Sequence, residues 1–278
     1  MAEFTPMMQQ YLQTKEEYKD CILFYRLGDF YEMFFEDAKT VSKELELTLT
    51  GKSCGLEERA PMCGVPFHAA DGYINRLVKK GYKVAICEQV EDPKLAKGIV
   101  KREVIRVVTP GTNIDMQSLD EAKNNYLMCI VYIGDKYGIA TTDVTTGDFF
   151  VTEVDSERKL LDELNRFSPT EIICNEPFYM SGVDIDDMKR MGIAVSALDS
   201  WYFGDDLAKE TLLSHFHVQS LEGLGLMDYD CGVIASAALL KYLYETQKNT
   251  LSNILELRPY SIGKYMIIDS SSRRNLEL

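Results

Sequence analysis

Residues 126–174 place the tightest limit on what this chain can fold into. Three runs rich in β-formers, 126–133, 137–143 and 149–154, follow one another with only Gly-Asp and Thr-Thr-Gly turns between them. Links that short join antiparallel neighbours, so the three runs read as a meander. A helix over 156–167 follows with Leu160, Leu161 and Leu164 turned inward, and then an apolar strand at 171–174. Strand and helix alternate through 193–195 and 207–216. A long helix at 230–247 closes the pattern, carrying Ile234, Ala235, Ala238 and Leu239 beside Tyr242 and Tyr244. A meander passing into alternating helices and parallel strands is an α/β order.

The preceding stretch reads as a separate mixed α/β domain. Helices are expected over 6–19, 31–45 and 71–80, the second from the spacing of Met33, Phe34, Ala38, Val41 and Leu45. Strands are expected at 21–25, 47–50, 82–90 and 100–109, with a polar loop over 51–59. The polar segment 113–125 separates the two domains, giving bounds of 1–115 and 116–255. Residues 256–278 read as the start of a further domain, because Tyr265, Met266, Ile267 and Ile268 have nothing after them to pack against. The chain is therefore expected to be a piece of a longer protein.

Charge divides along the same line. The net charge is −14, yet residues 1–115 carry 16 Lys+Arg against 18 Asp+Glu, a net −2, which leaves −12 on residues 116–278. Phosphate contacts need cations, so only the first domain is suited to approach DNA. Lys94, Lys97, Lys101, Arg102 and Arg106, with Lys79, Lys80 and Lys83 just before, form its basic stretch. Seven scattered cysteines, none in a C-x-x-C pair, read as reduced thiols of a cytoplasmic protein. His215 and His217 flank Phe216 and read as surface or strand positions, not a ligand pair. No apolar run approaches a membrane span, and the first residues lack the basic and apolar regions of a signal peptide.

Residues 28–35, Gly-Asp-Phe-Tyr-Glu-Met-Phe-Phe, read as a strand end turning into a helix, with Phe30 and Glu32 two positions apart at the turn. An aromatic wedge beside a hydrogen-bonding group is what prying open a base step requires. Phe30 as a core cap and Glu32 as a first-turn helix carboxylate is the plainer alternative. The surroundings favour the wedge. Residues 24–34, 61–68, 84–89 and 107–112, and 269–277 near the end, resemble in order and spacing the motifs of the bacterial MutS family.

That resemblance implies a mismatch-recognition domain followed by a ribonuclease-H-like connector domain, which is also the order read from 126–174. It implies that Phe30 enters from the minor groove and stacks on a base of a mismatched or unpaired pair in duplex DNA, with Glu32 hydrogen-bonding that base. A carboxylate among phosphates is read here as the neutral acid, donating its proton to the bond. The resemblance also places Met62 beside the wedge, and Lys52 and Arg102 on phosphates or sugars. The implied role is to initiate mismatch repair, as part of a homodimer that signals to MutL, in the cytoplasm at the nucleoid. ATP and Mg2+ belong to an ATPase toward the far end of the family's proteins, and no G-x-x-x-x-G-K-[ST] loop occurs here. No enzymatic activity and no cofactor are therefore expected of this chain.

Three other readings compete. A ribonuclease-H-like nuclease would hold metal ions on converging acids, for which Asp143 and Asp148 are the candidates. By default, however, Asp148 belongs to the Thr145-Thr146-Gly147-Asp148 turn. A protein–protein module that signals to MutL without binding DNA on its own suits the acidic second domain. A relative that binds branched DNA would lack the wedge and its acid, against which Phe30 and Glu32 stand.

Overall fold

Thr5 and Pro6 set where the first helix begins. Thr5 Oγ1 accepts the Met8 N–H at 3.4 Å, and proline's fixed φ suits the first turn, so α1 runs Pro6–Glu17. The computed structural model describes residues 3–91, 98–113 and 124–262. The expected boundary at 115/116, Lys94 and Lys97, and the stretch from 263 onward with its 269–277 motif lie outside the described residues. Two compact units are distinguished, Met1–Ser118 with Thr246–Lys248, and Leu119–Glu245 with Asn249–Leu278.

In the first unit α1 is followed by β1 (Cys21–Leu27), β2 (Phe30–Phe34), α2 (Phe35–Leu45), β3 (Thr50–Lys52) and β4 (Ala60–Pro66). Then come α3 (Ala70–Lys79), β5 (Lys83–Gln89) and β6 (Arg102–Val108). The strands form one sheet in the order β3-β4-β2-β1-β5-β6. Only β1 and β5 run parallel. Side chains alternate across it, as strand geometry demands. Ile22, Phe24, Tyr31 and Met33 pack with Val41 of α2 and Leu77 of α3. Leu23, Tyr25 and Phe34 pack on the opposite face with Met8 and Tyr11 of α1.

Three expectations change here. Residues 31–34 belong to β2, and the helix begins only at Phe35. The apolar spacing that suggested a longer helix mixes two periods, with Tyr31 and Met33 buried by strand alternation and Ala38, Val41 and Leu45 by helical turns. Phe35, the residue at the switch, has φ +52. That is a left-handed backbone which aromatics rarely adopt. The third strand lies at Thr50–Lys52, not 47–50, and β4 forms where no strand was expected.

The second unit contains β7 (Tyr126–Ile133), β8 (Lys136–Asp143), β9 (Asp148–Val154), α4 (Glu157–Phe167) and β10 (Glu171–Cys174). After these come α5 (Glu176–Tyr179), α6 (Ile185–Arg190), β11 (Ala194–Ala197), α7 (Asp205–Phe216), α8 (Asp230–Gln247) and β12 (Arg258–Pro259). Its sheet order is β11-β10-β7-β8-β9-β12. The meander β7–β8–β9 is antiparallel, while β10 lies parallel to β7 and β11 parallel to β10. This is the ribonuclease-H-like arrangement. Helices cover both faces: Leu127, Cys129 and Val131 pack with Ala235, Ala238 and Leu239 of α8, and Met128 and Ile130 with Leu160 and Leu164 of α4. His215 lies in the last turn of α7, its ring nitrogens 2.6 Å from Tyr244 Oη and 2.9 Å from the Ile254 carbonyl. His217 ends that helix in a left-handed conformation, so neither histidine is on a strand.

Candidate nucleic-acid interface

Phe30 stands at the tip of a tight hairpin. Gly28 and Asp29 are the only residues between the paired Leu27 and Phe30. Gly28 has φ +58 at the first of the two loop positions, where a side chain would be strained. The tip is braced from two sides. Arg26 Nε donates to the Gly28 carbonyl at 2.5 Å, and the Phe67 N–H donates to the Asp29 carbonyl at 2.9 Å. The Arg26 guanidinium lies 3.7 Å from the Phe67 ring centroid, and its Nη1 is 3.2 Å from Glu88 Oε1. Tyr31 donates its hydroxyl to the same Glu88 oxygen. Desolvation, and then that carboxylate, push the Tyr31 hydroxyl's pKa up, so it stays a donor.

On this braced strand Phe30, Glu32 and Phe34 share the face that α1 covers, but only Phe34 lies in its cluster. Phe34 is buried, whereas Phe30 remains 46% exposed. Across β4 their partners are Pro66, Gly64 and Met62 in turn. Gly64 presents no side chain beside Glu32; a Cβ there would stand 3.2 Å from the Tyr31 carbonyl oxygen and 3.5 Å from Glu32 Cγ. A glycine inside a strand leaves room for another group to approach the backbone.

The five residues expected at DNA are not equally placed. Met62 is half-buried beside Phe34, with its sulfur 3.8 Å from Thr50 Oγ1. Lys52 Nζ donates to Glu32 Oε2 at 2.5 Å and sits 5.9 Å from the Phe34 ring centroid. Arg102 lies apart on the edge strand β6 and makes its hydrogen bonds inside the unit. Its Nε donates to the Arg26 carbonyl at 2.7 Å, and its Nη1 to Gln10 Oε1 at 3.0 Å and to the Val100 carbonyl at 2.9 Å. Phe30, Glu32, Lys52 and Met62 thus lie on three adjacent strands, and Arg102 does not join them. In the basic stretch Lys80 pairs with Glu44, Lys83 with Asp20 and Lys101 with Glu103.

Sequence reasoning missed Arg26, Glu88 and Phe67 as supports. All three fall inside the quoted motifs, but the parallel pairing of Tyr25 with Cys87, which brings 26 and 88 together, leaves no mark in the spacing.

The nuclease candidates serve the β8–β9 hairpin. Buried Asp143 accepts the Asn125 N–H on Oδ2 at 3.0 Å, and on Oδ1 the Thr145 N–H at 2.8 Å and hydroxyl at 2.6 Å. Asp148 faces Arg258 Nη1 at 3.1 Å and accepts the Thr146 hydroxyl at 2.9 Å. Among the described residues no group of three or more His, Cys, Asp or Glu is placed to hold a metal ion.

Two family models match the chain in succession. The family model for MutS domain I matches residues 5–117, and that for MutS domain II matches residues 125–255. The DNA mismatch repair protein MutS of Lachnoclostridium phytofermentans is 65% identical over 279 residues, covering 100% of this chain and 30% of its own length. Those of Ruminiclostridium cellulolyticum and Acetivibrio thermocellus are 57% and 54% identical, each over 100% of this chain and 32% of their own lengths. The chain thus spans about a third of the length of these relatives. With two domain models matched in order and relatives more than half identical along its whole length, the chain belongs to the MutS family.

Proposed function

We propose that this chain is the lesion-reading part of a mismatch repair protein. It detects mismatched or unpaired bases in duplex DNA by inserting Phe30 from the minor groove while Glu32 hydrogen-bonds the displaced base. The observation that carries the proposal is an exposed aromatic and an acid on one face of a strand, at a hairpin tip whose turn is tied down on both sides. A Phe face stacks on any base, so the probe needs no base code. Selectivity comes from the DNA, because unstacking and kinking a step costs least where pairing is already poor. The name of the relatives, DNA mismatch repair protein MutS, supports the same role.

The chain itself performs no catalysis in this scheme. ATP and Mg2+ act in a part of the protein beyond these two domains, which works as a homodimer in the cytoplasm. The acidic second unit relays the signal to MutL. Fluorescence anisotropy with a labelled G·T duplex and its matched twin tests the reading, using the full-length protein with and without Phe30→Ala at one fixed salt concentration. Losing one stacked base costs roughly 1–3 kcal/mol, about 5- to 150-fold in affinity. That loss should fall on the G·T duplex and spare weak binding to matched DNA. Discrimination that survives without Phe30 sinks the proposal.

A further inference from the structure

Glu32 is held by a lysine two strands away. Lys52 stands opposite Ala60 on β4 and Glu32 opposite Gly64, so the pair spans the row occupied by Met62 and Phe34. The lysine bridges that distance with its ammonium close to the Phe34 ring and reaches Glu32 Oε2 at 2.5 Å. The two side chains are 33% and 15% exposed, so the pair is only partly open to solvent. Oε1 accepts no hydrogen bond among the described residues. Glu32 shares its strand face with Phe30, and its Cγ lies beside the bare backbone of Gly64.

We propose that Lys52 is a positioning residue for base reading, supplying the counter-charge of Glu32 and leaving Oε1 free to meet the base, and does not serve as a phosphate anchor. The inference rests on the reading of Phe30 and Glu32 given above. A bare carboxylate carried toward two phosphate backbones is repelled, and the repulsion grows as water is excluded. An ammonium at hydrogen-bond distance offsets that charge before the DNA arrives, so in this proposal Glu32 stays ionised as an acceptor, in place of the neutral donor expected from the sequence. One Lys52–Oε2 bond also fixes which carboxylate oxygen faces outward, so the orientation cost is met in the free protein. Gly64 contributes by absence: a Cβ there would crowd the Tyr31 carbonyl oxygen at 3.2 Å and fill the space beside Glu32 Cγ at 3.5 Å.

A double-mutant cycle tests the proposal in the full-length protein, with labelled G·T and matched duplexes over a series of salt concentrations. The variants are Lys52→Met, Glu32→Gln, their combination, Lys52→Arg and Phe30→Ala. Lys52→Met should weaken G·T binding about tenfold and matched binding much less. In the Glu32→Gln background the same change should have little effect, since an amide needs no counter-charge. Lys52→Arg should retain most of the wild-type preference, which separates loss of charge from loss of fold. A phosphate anchor behaves differently: Lys52→Met would then weaken both duplexes equally in both backgrounds and reduce the salt slope by about 0.9. That result overturns the proposal. Coupling between 52 and 32 with discrimination intact in Phe30→Ala would remove the wedge and keep the counter-charge. Additive behaviour with discrimination lost in Phe30→Ala would do the reverse.

Discussion

Gly138→Ala should damage the second unit severely for a single added methyl group. Gly138 lies on β8 directly beneath the first turn of α8. A Cβ at that position would stand 2.2 Å from the Cys231 carbonyl carbon, 2.3 Å from its oxygen and 2.7 Å from its Cβ. Ordinary contact begins near 3.4 Å, so the backbone of α8 must retreat by at least 1.2 Å. No flexible side chain can absorb that movement, because two of the three obstructing atoms are main chain. The retreat opens a gap beneath Ala235, Ala238 and Leu239, all fully buried. A gap of roughly 0.5–1 Å already forfeits a quarter to a half of each dispersion well. Overpacking of this kind costs about 1–3 kcal/mol, and a clash against helix backbone belongs at the upper end, about 3 kcal/mol. The chain has a single tryptophan, Trp201, which lies in the second unit and stacks 4.0 Å from Tyr202. Urea unfolding followed by its fluorescence therefore reports this unit selectively. At a slope of about 1–3 kcal/mol per molar, the midpoint should fall by about 1–3 M with the slope unchanged. A shift below about 0.3 M would refute the close approach of α8 to β8.

Two further changes address the first unit, read by far-ultraviolet circular dichroism in urea. Gly72 lies exposed inside α3 with open space around it, so Gly72→Ala should stabilise by about 1 kcal/mol through helix propensity alone. Asp37 accepts the Leu23 N–H at 2.9 Å and pairs with Lys15 at 3.0 Å while only 10% exposed. Burial raises its pKa above 3.8 against the opposing effect of those partners. The folded state therefore holds the proton more tightly than the unfolded one. Its stabilising share is complete below pH 3.8 and is lost as pH rises through the folded value. Asp37→Asn should remove this fall from the stability profile above pH 3.8, and an unaltered profile would contradict the assignment. Lys15→Met leaves the buried carboxylate without its ammonium partner and should cost about 2–3 kcal/mol at neutral pH.

The second unit was largely legible in the sequence because each signal there is local. Short turns specify antiparallel neighbours, and leucine spacing specifies α4. The small residues of α8 predict a helix seated on a sheet, where its expected span of 230–247 is the observed one. β12 was not legible, since two residues pairing with Phe150 and Val151 carry no periodicity. The first unit was harder to read where its elements change period. Residues 60–66 contain two prolines, a glycine and a cysteine, which propensity does not rank as strand. β4 exists because β2 and β3 pair with both its edges. That is a tertiary cause, and no local window contains it.

The conversion of residues 31–34 from helix to strand bears directly on how the site can work. With the expected helix over 31–45, Glu32 would lie in its first turn and Phe30 in the turn before it, and nothing would set the two on a common face. Two residues apart on a strand share a face at about 6.6 Å, within the span of one stacked base and its edge. The strand over 30–34, in place of a helix from 31, is what sets both side chains on one face, as the proposed reading of one base requires. The same alternation sends Tyr31 and Met33 to the opposite face, where Met33 is packed among the residues of α2 and α3 and Tyr31 is bonded to Glu88. Insertion of Phe30 into a base stack would push back along its own strand. The load then falls on a buried neighbour, a turn fixed by Arg26 and Phe67, and a sheet with strands on both sides of β2. Rigidity is what the wedge requires, because any give in the protein lowers the force delivered to the base step. A helix end projecting from the sheet would offer the same aromatic with far less behind it.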